Sequence, residues 1–274
     1  MKKMDYRRQT VIVTGASSGL GAEFARQLAR RGANLVLVAR RADRLESLAA
    51  ELTKAHGVAV TTLARDLGLR DAGRTLRVEL ESRGIYATGL VNNAGFGSHD
   101  AFTDEDPERL QDMISLNIGA LVDLSRSYVA PLAAAENGFL INVASLLGFQ
   151  PMPYMSVYGA TKAFVLSFTE GLWAEARGTG LRVLAVCPGA MDTEFFDAAG
   201  SQTADFGAKR LTPAAVVDKA LATLDRRSAP PSVITNGRPL ALASKLLPRG
   251  PMARLMGWMG RRRHSQPAAV PTNS

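Results

Sequence analysis

Residues 10–21 read TVIVTGASSGLG, a short β-branched apolar run that ends in a turn holding Gly15, Gly19 and Gly21. Glycine at such a turn lets the backbone bend sharply and come close to a phosphate group. A helix starting there points unpaired N–H groups and its positive end at that anion. The spacing is TGxxxGxG rather than the more general GxGxxG. Turns use glycine freely, so the weight lies in where the triplet stands, between a first strand and a first helix.

Outward from this turn, apolar runs alternate with helix-length segments. The runs Thr10–Val13, Leu35–Ala39, Val58–Ala64, Gly89–Asn92, Phe139–Val143, Arg182–Val186 and Ser232–Thr235 are predicted strands. Most are continuous and rich in Val, Ile and Leu, as in strands covered on both faces. Helices are predicted over Leu20–Arg30, Arg44–Ala55, Pro107–Ala135, Val157–Arg177 and Pro213–Arg226. Gly32, Gly57, Gly84, Gly138 and Gly180 each fall between a helix and the next strand, where a residue tolerant of left-handed backbone closes the helix. The alternation predicts an α/β fold: a doubly wound parallel sheet of about seven strands with helices on both faces, in a single domain over residues 1–239.

Composition narrows the class. The chain has 274 residues, 46% of them hydrophobic, which suffices for one substantial core. Its basic start (MKKMDYRRQ) leads straight into the first strand, without the apolar region and small-residue cleavage site of a signal peptide. No uncharged apolar stretch reaches the roughly 18 residues that a spanning helix needs. A single cysteine, Cys187, cannot form an internal disulfide, so a reducing cytoplasm is the expected compartment. The formal net charge is +8, yet no Asp or Glu follows Asp225 while Arg226, Arg227, Arg238, Lys245, Arg249, Arg254, Arg261, Arg262 and Arg263 do. The body is therefore close to neutral, and no nucleic-acid partner is expected.

The second strand runs into LVLVARR, with Arg40 and Arg41 and no acid before Asp43. If the glycine turn holds a dinucleotide, this strand end lies beside the adenine ribose. An acid there would bond two free hydroxyls and repel a 2′-phosphate, whereas guanidinium forks suit phosphate. The expectation is NADP(H), with Arg40 ahead of Arg41; the plain alternative for Arg41 is a solvated charge at a helix start.

Three polar features fall near the carboxyl ends of later strands, where ligands bind in open α/β sheets. Ser145 closes the fifth strand, Tyr158 and Lys162 stand four apart in YGATK on one helix face, and Asn117 lies within a long helix. Hydride transfer to a carbonyl leaves an alkoxide that must take a proton. Tyrosine, with an ordinary pKa of about 10, serves poorly at neutral pH unless a nearby ammonium favours the phenolate. Ser145 can polarise the carbonyl oxygen by hydrogen bonding. Asn117 could hold a water that leads protons outward, or could simply bond a backbone carbonyl. Singly, each has a plain reading: a cap hydroxyl, a packing tyrosine, a solvated lysine. Together they point to acid/base chemistry.

TGASSGLG, NNAG at Asn92–Gly95, SLN ending at Asn117, Ser145, YGATK and CPG at Cys187–Gly189 occur in the order that resembles the short-chain dehydrogenase/reductase family, over roughly residues 8–235. The resemblance implies a Rossmann-type fold, a homodimer or homotetramer, and a catalytic tetrad of Asn117, Ser145, Tyr158 and Lys162. It also implies cofactor contacts at Gly15, Ser17, Ser18, Gly19, Leu20 and Gly21 in the turn, and at Asp66 and Leu67 near the adenine. Asn93, Ala94 and Gly95 would lie under the cofactor, with Tyr158 and Lys162 also touching it and Pro188, Gly189, Met191 and Thr193 at the carboxamide. The family often has Val or Ile where Met191 stands. It needs no metal, and His56, His99 and His264 match no ligand spacing. Cys187 reads as a small buried residue.

The substrate is less legible. Leu146, Phe149, Met152, Tyr154 and Met155, with Phe195 and Phe196 on a long link over residues 191–212, suggest a hydrophobic ketone or aldehyde, although core packing explains some of them equally. Residues 240–263 form a basic amphipathic extension in which Met252, Leu255, Met256 and Met259 share one helical face, with Trp258 alongside. This segment could touch an anionic membrane peripherally, close over substrate, or pack on the body or a second subunit. Residues 264–274 read as a disordered tail. Two functions outside catalysis remain open on the same fold: an NADP(H)-binding redox sensor, and a membrane-associated interaction protein.

Overall fold

The computed structural model describes residues 4–195 and 210–264. Seven strands form one parallel sheet: β1 Thr10–Thr14, β2 Asn34–Ala39, β3 Val60–Ala64, β4 Gly89–Asn92, β5 Phe139–Val143, β6 Arg182–Cys187 and β7 Ser232–Ile234. Their order is β3-β2-β1-β4-β5-β6-β7, so the winding reverses between β1 and β4. In-register pairs such as Val13↔Val91 join those two strands across the reversal.

The continuous apolar runs exist because both faces are buried. Along β1, Val11 and Val13 pack on one side and Ile12 on the other; along β5, Ile141 and Leu140 divide in the same way. Helices α1 (Gly19–Arg30), α2 (Ala42–His56) and the later helix α7 (Pro213–Leu224) cover the first face through Phe24, Leu28, Leu45, Val217 and Leu221. Helices α3 (Ala72–Ser82), α5 (Leu121–Ala134) and α6 (Ser156–Glu175) line the second, where Leu76, Leu80, Leu124 and Leu132 are fully or almost fully buried. At roughly 1.5–3 kcal/mol for each such side chain removed from water, these two layers dominate the fold's stability.

Local signals set the ends. Thr212 caps α7 by accepting from Ala215 N–H, with Pro213 in the first turn, where its missing donor costs nothing. Four of the five expected helix-closing glycines are left-handed; Gly138 is not. Asn137 takes that conformation instead, at φ 61°. Gly138 is required for space, since a Cβ there would lie 1.8 Å from the Leu132 carbonyl oxygen.

The helix expected over Pro107–Ala135 divides into α4 (Pro107–Ile114), a π-helical turn over Ser115–Ala120 and α5. The extension begins at α8 (Arg238–Leu246) and continues in α9 (Arg249–His264), so His264 belongs to a helix and only the rest of the expected tail lies outside the described residues. The expected apolar stripe of α9 splits. Met252 and Met256 are buried against the body with Met152, Met155 and Tyr158, and Met259 is partly covered, while Leu255 and Trp258 face outward. Among the described residues, no helix is long and apolar enough to cross a membrane and no group of His, Cys, Asp or Glu side chains is gathered for a metal.

Candidate active site and dinucleotide cleft

A cleft of roughly 630 Å³ opens at the carboxyl ends of the strands, at the β1/β4 reversal. Every strand from β1 to β6 contributes the residues that follow it. Gly15, Ser17, Ser18, Gly19 and Leu20 come after β1, Arg40 and Arg41 after β2, and Asp66 and Leu67 after β3. Asn93, Ala94 and Gly95 follow β4, while Pro188, Met191 and Thr193 follow β6. Tyr158 and Lys162 reach the same cleft from α6.

Two predicted contacts shape the cleft without lining it. Gly21 packs under the turn, where a Cβ would lie 2.2 Å from the Gly15 carbonyl oxygen. Gly189 gives its N–H to Asn236 Oδ1 at 2.8 Å. Both glycines are thus occupied by the protein itself. The turn also depends on Thr14, whose hydroxyl accepts from Asn93 N–H at 2.9 Å and Ala94 N–H at 3.0 Å and donates to the Val91 carbonyl. Asn93 Nδ2 donates back to the Thr14 carbonyl at 2.9 Å. These bonds tie the segment after β4 to the glycine turn. The residues present fit a dinucleotide: a turn with left-handed glycines, the Ser17 and Ser18 hydroxyls beside it, and two guanidinium groups at the end of β2.

Of those two, Arg41 is the one that the fold fixes. Its Nε and Nη2 donate to Ser17 Oγ at 3.1 and 3.0 Å, and Nη2 also reaches Ser18 Oγ at 2.8 Å. Arg40 lines the cleft with an exposed side chain. Asp66 Oδ1 accepts from Gly68 N–H at 2.8 Å, which sets the bend beyond β3, and Leu67 is buried beneath it.

At the other end, Tyr158 and Lys162 are both buried, one helical turn apart. Lys162 Nζ donates to the Val143 carbonyl at 2.8 Å and lies 5.8 Å from the centre of the Tyr158 ring. Burial pushes the Lys162 ammonium down to about 8, and the Cys187 thiol beside it acts in the opposite sense. Burial pushes the Tyr158 phenol up to about 12, partly opposed by a hydrogen bond with Ser145. Burial thus shifts the phenol upward, opposite to the lowering expected from the sequence; Ser145 is the group that offsets it, while the Lys162 ammonium is turned to the Val143 carbonyl. Ser145 is both a cap and a site residue. Its Oγ accepts from Leu147 N–H at 3.1 Å, starting the 3₁₀ turn over Leu146–Phe149, and also serves the phenol.

Asn117 sits in the π-helical turn, 1% exposed, and its amide is committed to protein. Oδ1 accepts from Phe96 N–H at 3.1 Å, while Nδ2 donates to the Phe96 carbonyl at 2.9 Å and to Thr161 Oγ1 at 3.1 Å. The backbone carbonyl that it bonds belongs to Phe96, 21 residues away in sequence. Asn117 clamps the segment after β4 onto α6. Phe195, at the root of the 191–212 link, packs on Tyr158 with ring centres 5.2 Å apart; Phe196 lies outside the described residues. Sequence reasoning passed over Thr14, Phe96 and Glu194. Thr14 is the first residue of the quoted TGxxxGxG and Phe96 directly follows NNAG, so position was the available signal; nothing marked Glu194. Cys187 is buried, as expected.

A family model for short chain dehydrogenases matches residues 9–204. The chain belongs to this family. Short-chain dehydrogenases similar to it include sulfoacetaldehyde reductase 2 of Chromohalobacter salexigens, 38% identical over 187 residues, covering 68% of this chain and 73% of that protein. The very-long-chain 3-oxoacyl-CoA reductase of Mycosarcoma maydis is 32% identical over 82% of the chain, and the match spans 64% of that longer relative. The homonymous reductase of Anas platyrhynchos is matched over 58% of its length. Among solved structures, a short-chain dehydrogenase from Sphingobium yanoikuyae in complex with NADPH superposes with a TM-score of 0.76 at 35% identity, covering 97% of this chain and 99% of that one.

Proposed function

We propose that this short-chain dehydrogenase is an NADP(H)-dependent oxidoreductase that interconverts a carbonyl and an alcohol, with Tyr158 as the general acid/base. One observation carries the reading: Tyr158 and Lys162 line the same cleft as the glycine turn and the Arg40–Arg41 pair. When bound there, NADPH supplies the hydride. In the reducing direction, the Tyr158 hydroxyl gives its proton to the oxygen of the reacting carbonyl, and Ser145 donates a hydrogen bond to that oxygen and holds it beside the phenol. Lys162 places positive charge behind the phenol as it loses its proton. Asn117 keeps the floor of the cleft and α6 in register.

The NADP(H) preference is supported by the two arginines and by the absence of an acid at the end of β2. Relatives solved with NADPH, including the Sphingobium yanoikuyae enzyme, accord with it. A hydrophobic ketone or aldehyde is supported by the apolar residues that line the cleft with Tyr158, among them Phe96, Leu116 and Phe195, and by the buried cluster behind Tyr158 that holds Met113, Met152, Met155, Met252 and Met256. Methionine adapts to irregular apolar shapes. A bulky-bulky ketone specific alcohol dehydrogenase from Comamonas testosteroni is similar, at 31% identity and a TM-score of 0.74. The test is a panel of ketones and aldehydes, bulky apolar against small polar, followed by NADPH absorbance with NADH in parallel. Bound cofactor with no turnover on any carbonyl would favour the redox-sensor alternative.

Two further readings concern surfaces. The outward face of α9 carries Leu255 and Trp258 between Arg254 and Arg261, and α8 exposes Leu242 and Leu246. With no acid after Asp225, this chemistry favours peripheral contact with an anionic lipid surface. Equal sedimentation with anionic and zwitterionic vesicles would end that idea. A homodimer or homotetramer is supported by Phe164, 40% exposed on α6 and stacked on Phe168, and light scattering decides it.

A further inference from the structure

Glu194 stands at the adenine end of the cleft, and its carboxylate bridges two cations. Oε2 pairs with Arg41 Nη1 at 3.0 Å and Oε1 with Arg44 Nη1 at 2.6 Å. These arginines hold its carboxyl below the usual carboxylate range, so it is ionised at neutral pH. The same Arg41 is bonded to Ser17 and Ser18 of the phosphate turn. A side-chain anion thus occupies the guanidinium fork that faces the cleft.

We propose that Glu194 is a specificity-setting residue that competes with the cofactor's 2′-phosphate for Arg41 and Arg44, so that tight binding requires the carboxylate to leave. This rests on the NADP(H) reading above. A phosphate monoester carries close to two negative charges at neutral pH, and a carboxylate on the same cation adds repulsion as well as competition. A ligand without that phosphate makes no demand on the pair, so Glu194 weakens one class of cofactor and leaves the other alone. The opposite role is also definite: a carboxylate that merely holds Arg41 ready would strengthen phosphate binding. The sign of one measurement separates the two.

The variant is Glu194→Gln, which keeps the side chain's size and removes its charge at a position whose side chain is 51% exposed. Isothermal titration with 2′,5′-ADP and with 5′-AMP reads affinity without turnover. The expected result is 2′,5′-ADP bound about fivefold more tightly than by the native protein, the scale of an exposed charge pair, with 5′-AMP unchanged. The gain shrinks as salt is raised. Unchanged or weaker 2′,5′-ADP binding, or an equal gain for 5′-AMP, overturns the proposal while leaving the NADP(H) reading intact. A native protein that does not distinguish the two ligands overturns both.

Discussion

Replacing Asn117 with alanine separates a structural clamp from a water-holding catalytic group. The native amide makes three hydrogen bonds, two to Phe96 and one to Thr161, at a position that is 1% exposed. Each contributes about 1 kcal/mol net, so their loss costs about 3 kcal/mol. For a chain of this size, that lowers Tm by about 6–12 °C at 2–4 °C per kcal/mol. Part-buried Phe96 backbone groups can recover some bonding to water, which places the expected shift toward the lower end of that range. The clamp also holds the segment after β4, which forms the cleft floor, so NADPH affinity should fall with stability. Differential scanning fluorimetry, with and without NADPH, measures both. A variant that melts within about 1 °C of native and loses only turnover would refute the clamp. Asn117→Asp sharpens the comparison: its carboxylate would face the Phe96 carbonyl, and Thr161 Oγ1 already donates to the Tyr158 carbonyl. It should be no more stable than the alanine variant.

Other expectations follow from charge. Arg41→Asp should cut the preference for NADPH over NADH by about tenfold or more, the scale of a charged hydrogen bond to phosphate, and Arg40→Asp by less, because only Arg41 is anchored on the turn serines; equal ratios in both variants would reassign phosphate recognition. Lys162 is depressed from 10.5 to about 8 by burial, so between those values the unfolded chain holds more protons than the folded one. Stability at this site therefore rises with pH across that window, and native protein should gain on Lys162→Met when melting is followed from pH 7 to 10; a constant difference contradicts a buried ammonium.

The parts of this molecule that were legible in sequence are those written as repeated burial or as fixed chemistry. All seven strands stand where the apolar runs placed them, since a strand covered on both faces cannot be polar for long. The glycine turn, Arg40, Arg41, Tyr158 and Lys162 meet in one cleft because each follows a strand end or lies on one helix face. Helix α3 escaped notice: its charged sequence AGRTLRVELES buries little beyond Leu76 and Leu80, and its leader Asp71 is left-handed at φ 59°. The π-helical turn around Asn117 was invisible because its residues suit an α-helix equally well, and tertiary bonds to Phe96 and Thr161 accompany the difference. Side-chain partners across long separations, such as Arg41 with Glu194, carry no local pattern at all. The sequence likewise shows that a lysine lies four residues past Tyr158, but not that the phenol is buried or that the ammonium turns to the Val143 carbonyl.

Tyr158→Phe is the most direct measurement of the acid/base assignment. The account predicts that, on the best carbonyl from the substrate panel, turnover drops at least about a hundredfold while the Kd for NADPH stays within about twofold of native. Turnover close to native in a phenylalanine variant that binds NADPH normally would contradict it.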